Sequence, residues 1–202
     1  MADLDIHALS PGNWGDLVDL FERPGPRGSW PRTSACYCMF WRLPSADYDA
    51  AFRQRSLENV SGGPNKEAMG KVVRGGAVPG LLAYRAGHSV GWVAASPRTE
   101  LVRLGSSPGL RSDEPDDERA WSVSCFYVHR SEWRNGVGAA LLDAAVARAA
   151  EHGATSVEGY PVKAGSVDPY TGYDTMFEAA GFRLVQAGRG KGRALWRKQL
   201  SG

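Results

Sequence analysis

Apolar residues recur along this chain at two spacings, one typical of amphipathic helices and one typical of strands. Near the amino terminus a helix is predicted from residues spaced three or four apart: Trp14, Leu17, Val18 and Phe21. Ser10-Pro11 marks its start, because serine caps a helix end and proline suits the first helical position. Further helices are predicted over residues 47–59 and 65–74. Strands are predicted over residues 5–9, 81–84, 89–96, 121–128, 155–160, 182–186 and 194–199.

A long polar connection, residues 97–119, separates the central strands and is rich in proline, glycine and acidic residues. Connections of this length are usually functional or without fixed structure. Its carboxylate run, 113–118, is most simply a solvated loop. The basic tail residues are interpreted as protecting an edge strand, with the 3′-phosphate of a nucleotide cofactor as the alternative: Arg189, Lys191, Arg193, Arg197 and Lys198.

The most informative pattern is a strand, a short basic turn and a helix within residues 121–152. The turn contains Gly136 and Gly138, which lack a Cβ and let a ligand approach the backbone. The helix that follows has apolar residues at every fourth position, and Gly153 is a plausible C-cap. Its first N–H groups have no acceptor inside the helix, and its dipole favours an anion there. The pattern therefore predicts binding of a phosphorylated cofactor.

Two common phosphate-binding motifs do not fit this turn. A nucleoside-triphosphate loop requires Gly-Lys-Ser/Thr at its end, whereas Gly138 is followed by two alanines. A dinucleotide fingerprint requires a third glycine at position 141, which is leucine. The fingerprint also usually follows the first strand of the fold, and this turn lies two-thirds of the way along the chain.

The segment resembles the acetyl-CoA site of the GNAT N-acetyltransferase superfamily. In that family a strand ending in valine leads to Arg/Gln-x-x-Gly-x-Gly/Ala and then to a helix that starts with small residues and Leu-Leu. Here Val128 lies eight residues before Gly136, and the sequence from Gly136 continues Val-Gly-Ala-Ala-Leu-Leu. The later Gly181-Phe182 also matches the family. Position 133 departs from the pattern, since Trp133 stands where arginine or glutamine is usual and Arg134 follows it.

The resemblance implies an α+β fold with a central mixed, mostly antiparallel sheet of six to seven strands. Helices flank this sheet, and two strands splay apart to admit the cofactor. We expect one domain over residues 1–202, with acceptor-side helices and loops over 24–76 and a cofactor-binding core over 81–200. The implied reaction transfers an acetyl group from acetyl-CoA to a primary amine of a small molecule, by direct attack in a ternary complex.

The same resemblance implies where the cofactor and the acceptor bind. Backbone N–H groups are expected to hold the pyrophosphate, and Arg134 to add charge from a shifted position. The predicted cofactor-binding residues are Phe126, Tyr127, Val128, Trp133, Arg134, Asn135, Gly136, Val137, Gly138, Ala139 and Phe177. The predicted acceptor-pocket residues, with core packing as the alternative for the aromatic segment after the first helix, are Trp30, Tyr37, Cys38, Trp41 and Tyr160.

Acetyl transfer requires a group that takes the amine proton. The reaction is also helped by a group that donates a proton to the leaving thiolate. The family's usual acid is a tyrosine four residues before the Gly-Phe pair, but that position is Phe177. Tyr173 is the predicted substitute, with Tyr170 or solvent as alternatives. The strand before the turn lacks a carboxylate, so Ser124 is expected to orient a water and Glu158 to serve as the alternative base. Period-two alternation predicts that Ser122, Ser124, Phe126 and Val128 share one face.

Composition narrows the class of protein. A net charge of +2 over 202 residues argues against a dedicated nucleic-acid binder. No window approaches eighteen apolar residues, and the amino terminus lacks a signal-peptide pattern, so no membrane association is expected. Three cysteines favour a reduced cytoplasm, and they do not suit zinc, so no metal is expected. A monomer or a homodimer is expected.

Two other functions remain open on the sequence. Because the usual tyrosine and glutamate are missing, the chain could be a CoA-binding module with weak or lost catalysis. It could also acetylate peptides or protein amino termini, since a groove open at both ends would admit a peptide and a closed aromatic pocket a small amine.

Overall fold

The fold is a seven-stranded sheet with helices on both faces. The computed structural model describes residues 3–24, 33–58, 63–107, 109–115, 117–166, 169–188 and 192–200. The strands are β1 (Leu4–Ala8), β2 (Gly80–Arg85), β3 (His88–Pro97), β4 (Ala120–Val128), β5 (Ser156–Gly159), β6 (Arg183–Gln186) and β7 (Leu195–Gln199). The helices are α1 (Trp14–Glu22), α2 (Thr33–Cys36), α3 (Ser45–Glu58), α4 (Gly63–Arg74), α5 (Val102–Gly105), α6 (Val137–Glu151) and α7 (Asp174–Ala179).

The strand order is β1-β2-β3-β4-β5-β7-β6. Every neighbouring pair is antiparallel except β4 and β5, which run parallel because α6 connects them. The predicted fold class, a mixed and mostly antiparallel sheet flanked by helices, is confirmed. No helix within the described ranges is long and apolar enough to cross a membrane.

Two apolar clusters sandwich the sheet. On one face α6 packs its buried stripe, including Leu141 and Ala145, against Val93 and Val123 of the central strands. On the other face α1, α4 and the residues directly after α2 cover Trp92. Alternation along β3 explains this division, because successive residues point to opposite faces.

The first helix starts later than the sequence predicts. Pro11–Asn13 form a short 3₁₀ turn, and α1 begins at Trp14. The cause is a reciprocal cap between Ser10 and Asn13. The Ser10 N–H donates to Asn13 Oδ1 over 2.7 Å, so this backbone donor has its acceptor before the α-helix begins.

The connection between β3 and β4 is more ordered than its polar composition predicts. Arg98–Glu100 form a 3₁₀ turn and α5 follows. Three leucines of this connection are buried against Trp41, Tyr160 and Leu195: Leu101, Leu104 and Leu110. The described part of this connection before residue 113 thus contributes to a third apolar cluster, whereas the described residues of the acidic run, 113–118, are mostly exposed.

Candidate active site

The central feature of the site is a gap between β4 and β5. The two strands pair from Ala120 and Ser156 only as far as Val123 and Gly159. Beyond that point β4 continues to Val128, while the chain after β5 turns away. The edge of β4 that faces the gap therefore lacks a neighbouring strand, and its N–H and C=O groups are open to a ligand or a loop.

Two groups of this chain fill part of that open edge. The Phe126 N–H donates to the Tyr170 carbonyl over 2.6 Å. The indole N–H of Trp133 donates to the Val128 carbonyl over 2.9 Å. Both residues were predicted to bind the cofactor through the strand or the turn. In this structure the Phe126 N–H and the Trp133 indole N–H are both hydrogen-bonded within the protein.

A β-bulge at Ser124 changes which side chains share a face. Ala94 pairs with Cys125 and Ala95 pairs with Val123, so Ser124 is an extra residue in β4. The predicted common face of Ser122, Ser124, Phe126 and Val128 is therefore wrong. Ser122 reaches the acceptor side, where its hydroxyl lies 2.8 Å from that of Tyr160. Phe126 and Val128 instead pack toward α6.

The bulge also places two residues of different chemistry on the face of β4 that packs toward α1. Tyr127 packs its ring 5.9 Å from that of Phe21. Cys125 lies half-buried beside the cluster under α1 and α2. Ser124 itself is buried. A bulge next to a strand gap is a common way to redirect side chains toward a site.

The turn between β4 and α6 has the features of an anion seat. Gly136 has φ +75° and caps α6, which begins at Val137. A Cβ at Gly136 would meet nothing within 4 Å, so the requirement for glycine there is conformational. The first intrahelical bond runs from the Ala140 N–H to the Gly136 carbonyl. The N–H groups of 137–139 therefore have no acceptor within the helix.

The turn is anchored on one side and exposed on the other. Glu132 pairs with Arg85 of β2 and also accepts from Asn135. Arg134 is exposed and has φ +65°. Trp133 is 66% exposed although its N–H is bonded to the strand. The free N–H groups and the exposed guanidinium lie at the same turn, and the division of labour between them stays a prediction.

Gly138 and Phe177 lie close to the core beneath this turn. A Cβ at Gly138 would stand 3.4 Å from Met176 Sδ. Phe177 is fully buried, with its ring 6.1 Å from that of Phe126 and 4.9 Å from that of Phe182. A Cβ at Gly159 would meet the Phe177 ring at 2.0 Å, which explains glycine at the end of β5. The phenylalanine at the usual tyrosine position is thus a core residue.

Tyr173 is the N-cap residue of α7, and its hydroxyl donates to the Ser166 carbonyl over 3.3 Å. This hydrogen bond holds the half-buried side chain against the loop that follows β5. The loop is also fixed by bonds between Val162 and the backbone of Gly172 and Asp174. Tyr170 and Tyr173 therefore belong to one segment beside the gap.

Glu158, the predicted alternative base, lies in a buried ionic cluster. Its side chain has no solvent exposure. One carboxylate oxygen accepts from Arg98, Arg197 and the Ser112 hydroxyl, and the other accepts from Tyr160. Both oxygens are occupied, so an amine cannot reach this carboxylate unless the cluster rearranges. Because Arg197 is bonded within this cluster, it is not free to bind the 3′-phosphate of the cofactor, which was the alternative role given for the basic tail.

Two further carboxylates complete this cluster. Arg197 also pairs with Asp113 over 2.5 Å and with Glu114 over 3.2 Å. Hydrogen bonding to Arg197 lowers the pKa of Asp113. Part of the acidic run is therefore paired with the sheet. Arg98 and Ser112 carry no local motif, which is why the sequence did not identify them, and Arg197 was predicted only as part of the basic tail.

Tyr160 links this cluster to the acceptor side. Its hydroxyl lies between Ser122 Oγ and Glu158 Oε2, and its ring is 6.2 Å from that of Trp41. Burial, followed by the charge of Glu158, raises the pKa of Tyr160 well above its usual value. Tyr160 and Trp41 are both buried, so they form the floor of this region.

The segment after α2 contributes strained and buried residues. Tyr37 and Cys38 have φ +45° and +54°, which is uncommon for residues other than glycine. The Tyr37 hydroxyl donates to Glu22 over 2.5 Å, and burial together with this bond raises its pKa. Tyr37 and Cys38 are buried in the core, and core packing was the alternative to their predicted place in the acceptor pocket. Trp30 lies outside the described residues.

Two thiols of this region, those of Cys38 and Cys125, interact. Trp92 Nε1 donates to Cys38 Sγ over 3.2 Å. A hydrogen bond from Cys125 lowers the pKa of Cys38, while burial opposes this and Trp92 and Arg42 assist it. All three cysteines are free. Among the described residues, no group of three or more His, Cys, Asp or Glu side chains is arranged to hold a metal ion.

The predicted residues thus divide into two sets. The structure brings together the β4 edge, the turn and the start of α6 with the Tyr170–Tyr173 segment. Glu158 and Phe177 lie beside this gap but are enclosed. The Tyr170 carbonyl is a main-chain group, and no side-chain pattern indicates that it would face β4.

Comparison with known proteins identifies relatives of this arrangement. The sequence model described as the acetyltransferase (GNAT) family matches residues 38–163, which is more than half of the chain. No curated protein sequence matches the chain.

Several solved structures share the fold. An acetyltransferase of the GNAT family from Listeria monocytogenes has a TM-score of 0.57 at 14% identity, covering 99% of this chain and 98% of its own. The paiA N-acetyltransferase from Thermoplasma acidophilum, in complex with coenzyme A, has a TM-score of 0.54 at 12% identity, covering 98% and 99%. The yncA protein from Salmonella typhimurium, solved with acetyl-CoA, has a TM-score of 0.50 at 14% identity, covering 98% and 94%.

Proposed function

The chain belongs to the acetyltransferase (GNAT) family and is an acetyl-CoA-dependent N-acetyltransferase, and on that premise we propose that it acetylates a primary amine of a small molecule. Acetyl-CoA and the amine bind together, and the amine attacks directly. The observation that carries this proposal is the gap where β5 leaves β4, beside the start of α6, whose first N–H groups have no acceptor within the helix. The paiA structure was solved with coenzyme A and the yncA structure with acetyl-CoA, and we propose that the gap of this chain takes the same cofactor.

The residues present fit such a cofactor. The N–H groups of 137–139 lack intrahelical acceptors, and Gly136 holds the left-handed turn that presents them. Arg134 lies exposed at the same turn and supplies a positive charge. Acetyl-CoA supplies the activated acyl group and a thiolate leaving group.

The open edge of β4 would hold the acyl arm of the cofactor. The Phe126 N–H is the donor nearest the bulge, and when Tyr170 releases it this N–H can bind a carbonyl oxygen. The acceptor then approaches from the face of Tyr127, Cys125 and Trp41. Positioning of the two substrates provides much of the rate enhancement in such a site.

Proton transfer is assigned to the segment beside the gap. Tyr173 is proposed to protonate the leaving thiolate, with Tyr170 or solvent as alternatives. Ser124, at the bulge, is proposed to orient the water that takes the amine proton. Glu158 is bonded to two guanidinium groups, so we assign it to holding Tyr160 and the sheet.

The proposed setting is the cytoplasm, as a single-domain monomer or homodimer. The three free thiols, two of them in hydrogen-bond contact, suit a reducing compartment.

The test is release of free thiol from acetyl-CoA over a panel of small amines and amino-terminal peptides, together with thermal stabilisation by CoA. Turnover of small amines supports the proposal. Preferential turnover of peptides would assign the chain to protein acetylation. Stabilisation by CoA without turnover would favour a CoA-binding module, a candidate supported by the buried Phe177 at the usual tyrosine position.

A further inference from the structure

Arg193, beside the Trp41 ring, differs from three other arginines of this region in having no carboxylate or hydrogen-bond partner among the described side chains. Arg42, Arg98 and Arg197 pair with carboxylates. Arg193 is in none of the ion pairs among the described side chains, and its buried Nε has no hydrogen-bond partner there. Leaving a buried donor unsatisfied destabilises a protein, so such groups usually have a reason to remain unpaired.

The position of Arg193 is fixed by its surroundings. The next residue, Ala194, donates its N–H to the Pro161 carbonyl over 3.1 Å, directly after β5 ends. The guanidinium carbon lies 5.7 Å from the centre of the Trp41 ring, within range of a cation–π contact. This contact holds the charge over the acceptor-side floor.

The guanidinium also acts on the β4 face of the gap. A hydrogen bond with Cys38, and burial after it, raise the pKa of Cys125, and the charge of Arg193 opposes them. The Arg193 guanidinium thus lies over Trp41, and its charge acts on Cys125. These two residues flank the route by which we propose that an acceptor enters.

We propose that the acceptor is an amine that also carries an anionic group, a carboxylate or a phosphate, and that Arg193 binds this group. A guanidinium offers two parallel N–H donors that match either anion. The unpaired Nε and the aromatic support of Trp41 present such a fork at the acceptor side of the gap. Binding the anion would satisfy the donor that the free protein leaves unpaired. This inference rests on the proposed acetyl transfer.

The experiment uses matched acceptors with acetyl-CoA and measures thiol release. The carboxylate arm compares amino acids with their amides and with the amines that lack the carboxylate, and the phosphate arm uses aminoalkyl phosphonates. We expect kcat/KM of the anionic member to exceed that of its neutral counterparts by about tenfold or more, as for a hydrogen bond to a charged group. The arm with the larger preference identifies the anion.

Three variants assign the preference to this residue. Arg193→Ala should reduce kcat/KM of anionic acceptors to the level of their neutral counterparts. Arg193→Lys keeps the charge but not the fork, and should retain part of the preference. Arg183→Ala removes an exposed arginine of the neighbouring β6 and should keep the full preference. A preference that survives in Arg193→Ala, or its absence in the wild type, overturns the inference.

The outcomes also separate this inference from the proposed function. Failure of acetyl-CoA to stabilise the protein would overturn the proposed function. Acetylation of neutral and anionic amines at equal rates would overturn only the role of Arg193. If CoA binds but no amine turns over, thermal stabilisation by N-acetylated amino acids with CoA is compared with that by their amides. Stronger stabilisation by the acids supports the inference, and equal stabilisation overturns it.

Discussion

The main-chain N–H of Phe126 donates to the carbonyl oxygen of Tyr170 over 2.6 Å, at the point where β5 has already left β4. The hydrogen bond is local to the gap and joins a rigid strand to the segment that carries Tyr170 and Tyr173. A ligand that uses the β4 edge must compete with this carbonyl. The resting protein therefore satisfies its open strand edge with its own chain.

The first prediction is that CoA displaces the Tyr170 carbonyl. Hydrogen exchange of amides in residues 162–174 should then become faster when CoA is added, because bonds such as that between the Val162 N–H and Gly172 are released. Amides of 136–140 should become slower in the same sample. Residues 14–22 of α1 provide the control and should not change. Unaltered or slower exchange over 162–174 would mean that Tyr170 stays in place and that the cofactor avoids Phe126.

The second prediction compares two glycines at opposite ends of α6. Gly136 and Gly153 have φ +75° and +74°, and a Cβ at either would meet nothing within 4 Å. Alanine at either position should lower the free energy of unfolding by a similar amount, about 1–2 kcal/mol, through backbone strain. Only Gly136→Ala should weaken CoA binding, because only that end presents free N–H groups. Thermal unfolding without CoA measures the loss of stability, and the added stability with CoA measures binding. For the wild type we expect about 2.7 kcal/mol of stabilisation at a hundredfold excess of CoA over Kd.

Equal CoA stabilisation of the two alanine variants would contradict this assignment. Gly138→Val provides a second measurement. Its branched side chain must fit beside Met176, whose sulfur would lie 3.4 Å from the new Cβ, and it should abolish CoA-dependent stabilisation.

The third prediction concerns charge at the turn. Arg134→Ala should weaken CoA binding by about 1–2 kcal/mol, the loss of a charge-assisted hydrogen bond, and should reduce its salt dependence. Arg130→Ala, at an exposed arginine of the same turn, is the control and should have less effect. Calorimetric titration at two salt concentrations measures the difference. An unchanged Kd for Arg134→Ala would leave the pyrophosphate to the backbone alone.

The segment from β4 to α6 was the most predictable part of this fold. Its information is local: alternating apolar residues, two glycines and a four-residue apolar repeat lie within one stretch of about thirty residues. The family resemblance then gave the sheet and its gap. Strand limits agree closely, as for β3, predicted over 89–96 and found at His88–Pro97.

Features that depend on distant residues were not predictable in this way. The bulge at Ser124 shifts the alternation of β4 by one residue, and its sequence carries no proline or glycine signal. The cluster around Glu158 joins residues 98, 112 and 197, which only the folded sheet brings together. Leu101 and Leu104 likewise order a connection whose composition is polar, because their partners lie elsewhere in the chain.

The fourth prediction tests the proton donor. Tyr173→Phe should lower kcat by at least about tenfold, since general acid catalysis is typically worth 10² to 10⁴ in rate, with little change in CoA affinity. The Tyr173 hydroxyl is bonded to Ser166 in the resting protein and must be released by movement of this segment. Tyr170→Phe is the parallel variant in the same segment. Wild-type turnover in both would indicate that solvent delivers the proton.

The last prediction separates structure from catalysis at Glu158. Glu158→Gln preserves the shape of the side chain but leaves Arg98 with main-chain carbonyl partners and Arg197 with the exposed Asp113 and Glu114. Removing one partner of a buried ion pair costs about 3–5 kcal/mol, so denaturant unfolding should show a loss of this order. Glu151→Gln, at an exposed site on α6, is the control and should change stability by less than about 0.5 kcal/mol. Measured below its unfolding temperature, the Glu158→Gln protein should retain most of its kcat. A large fall in kcat with wild-type stability would instead assign Glu158 the role of a base, and would mean that the cluster opens when substrates bind.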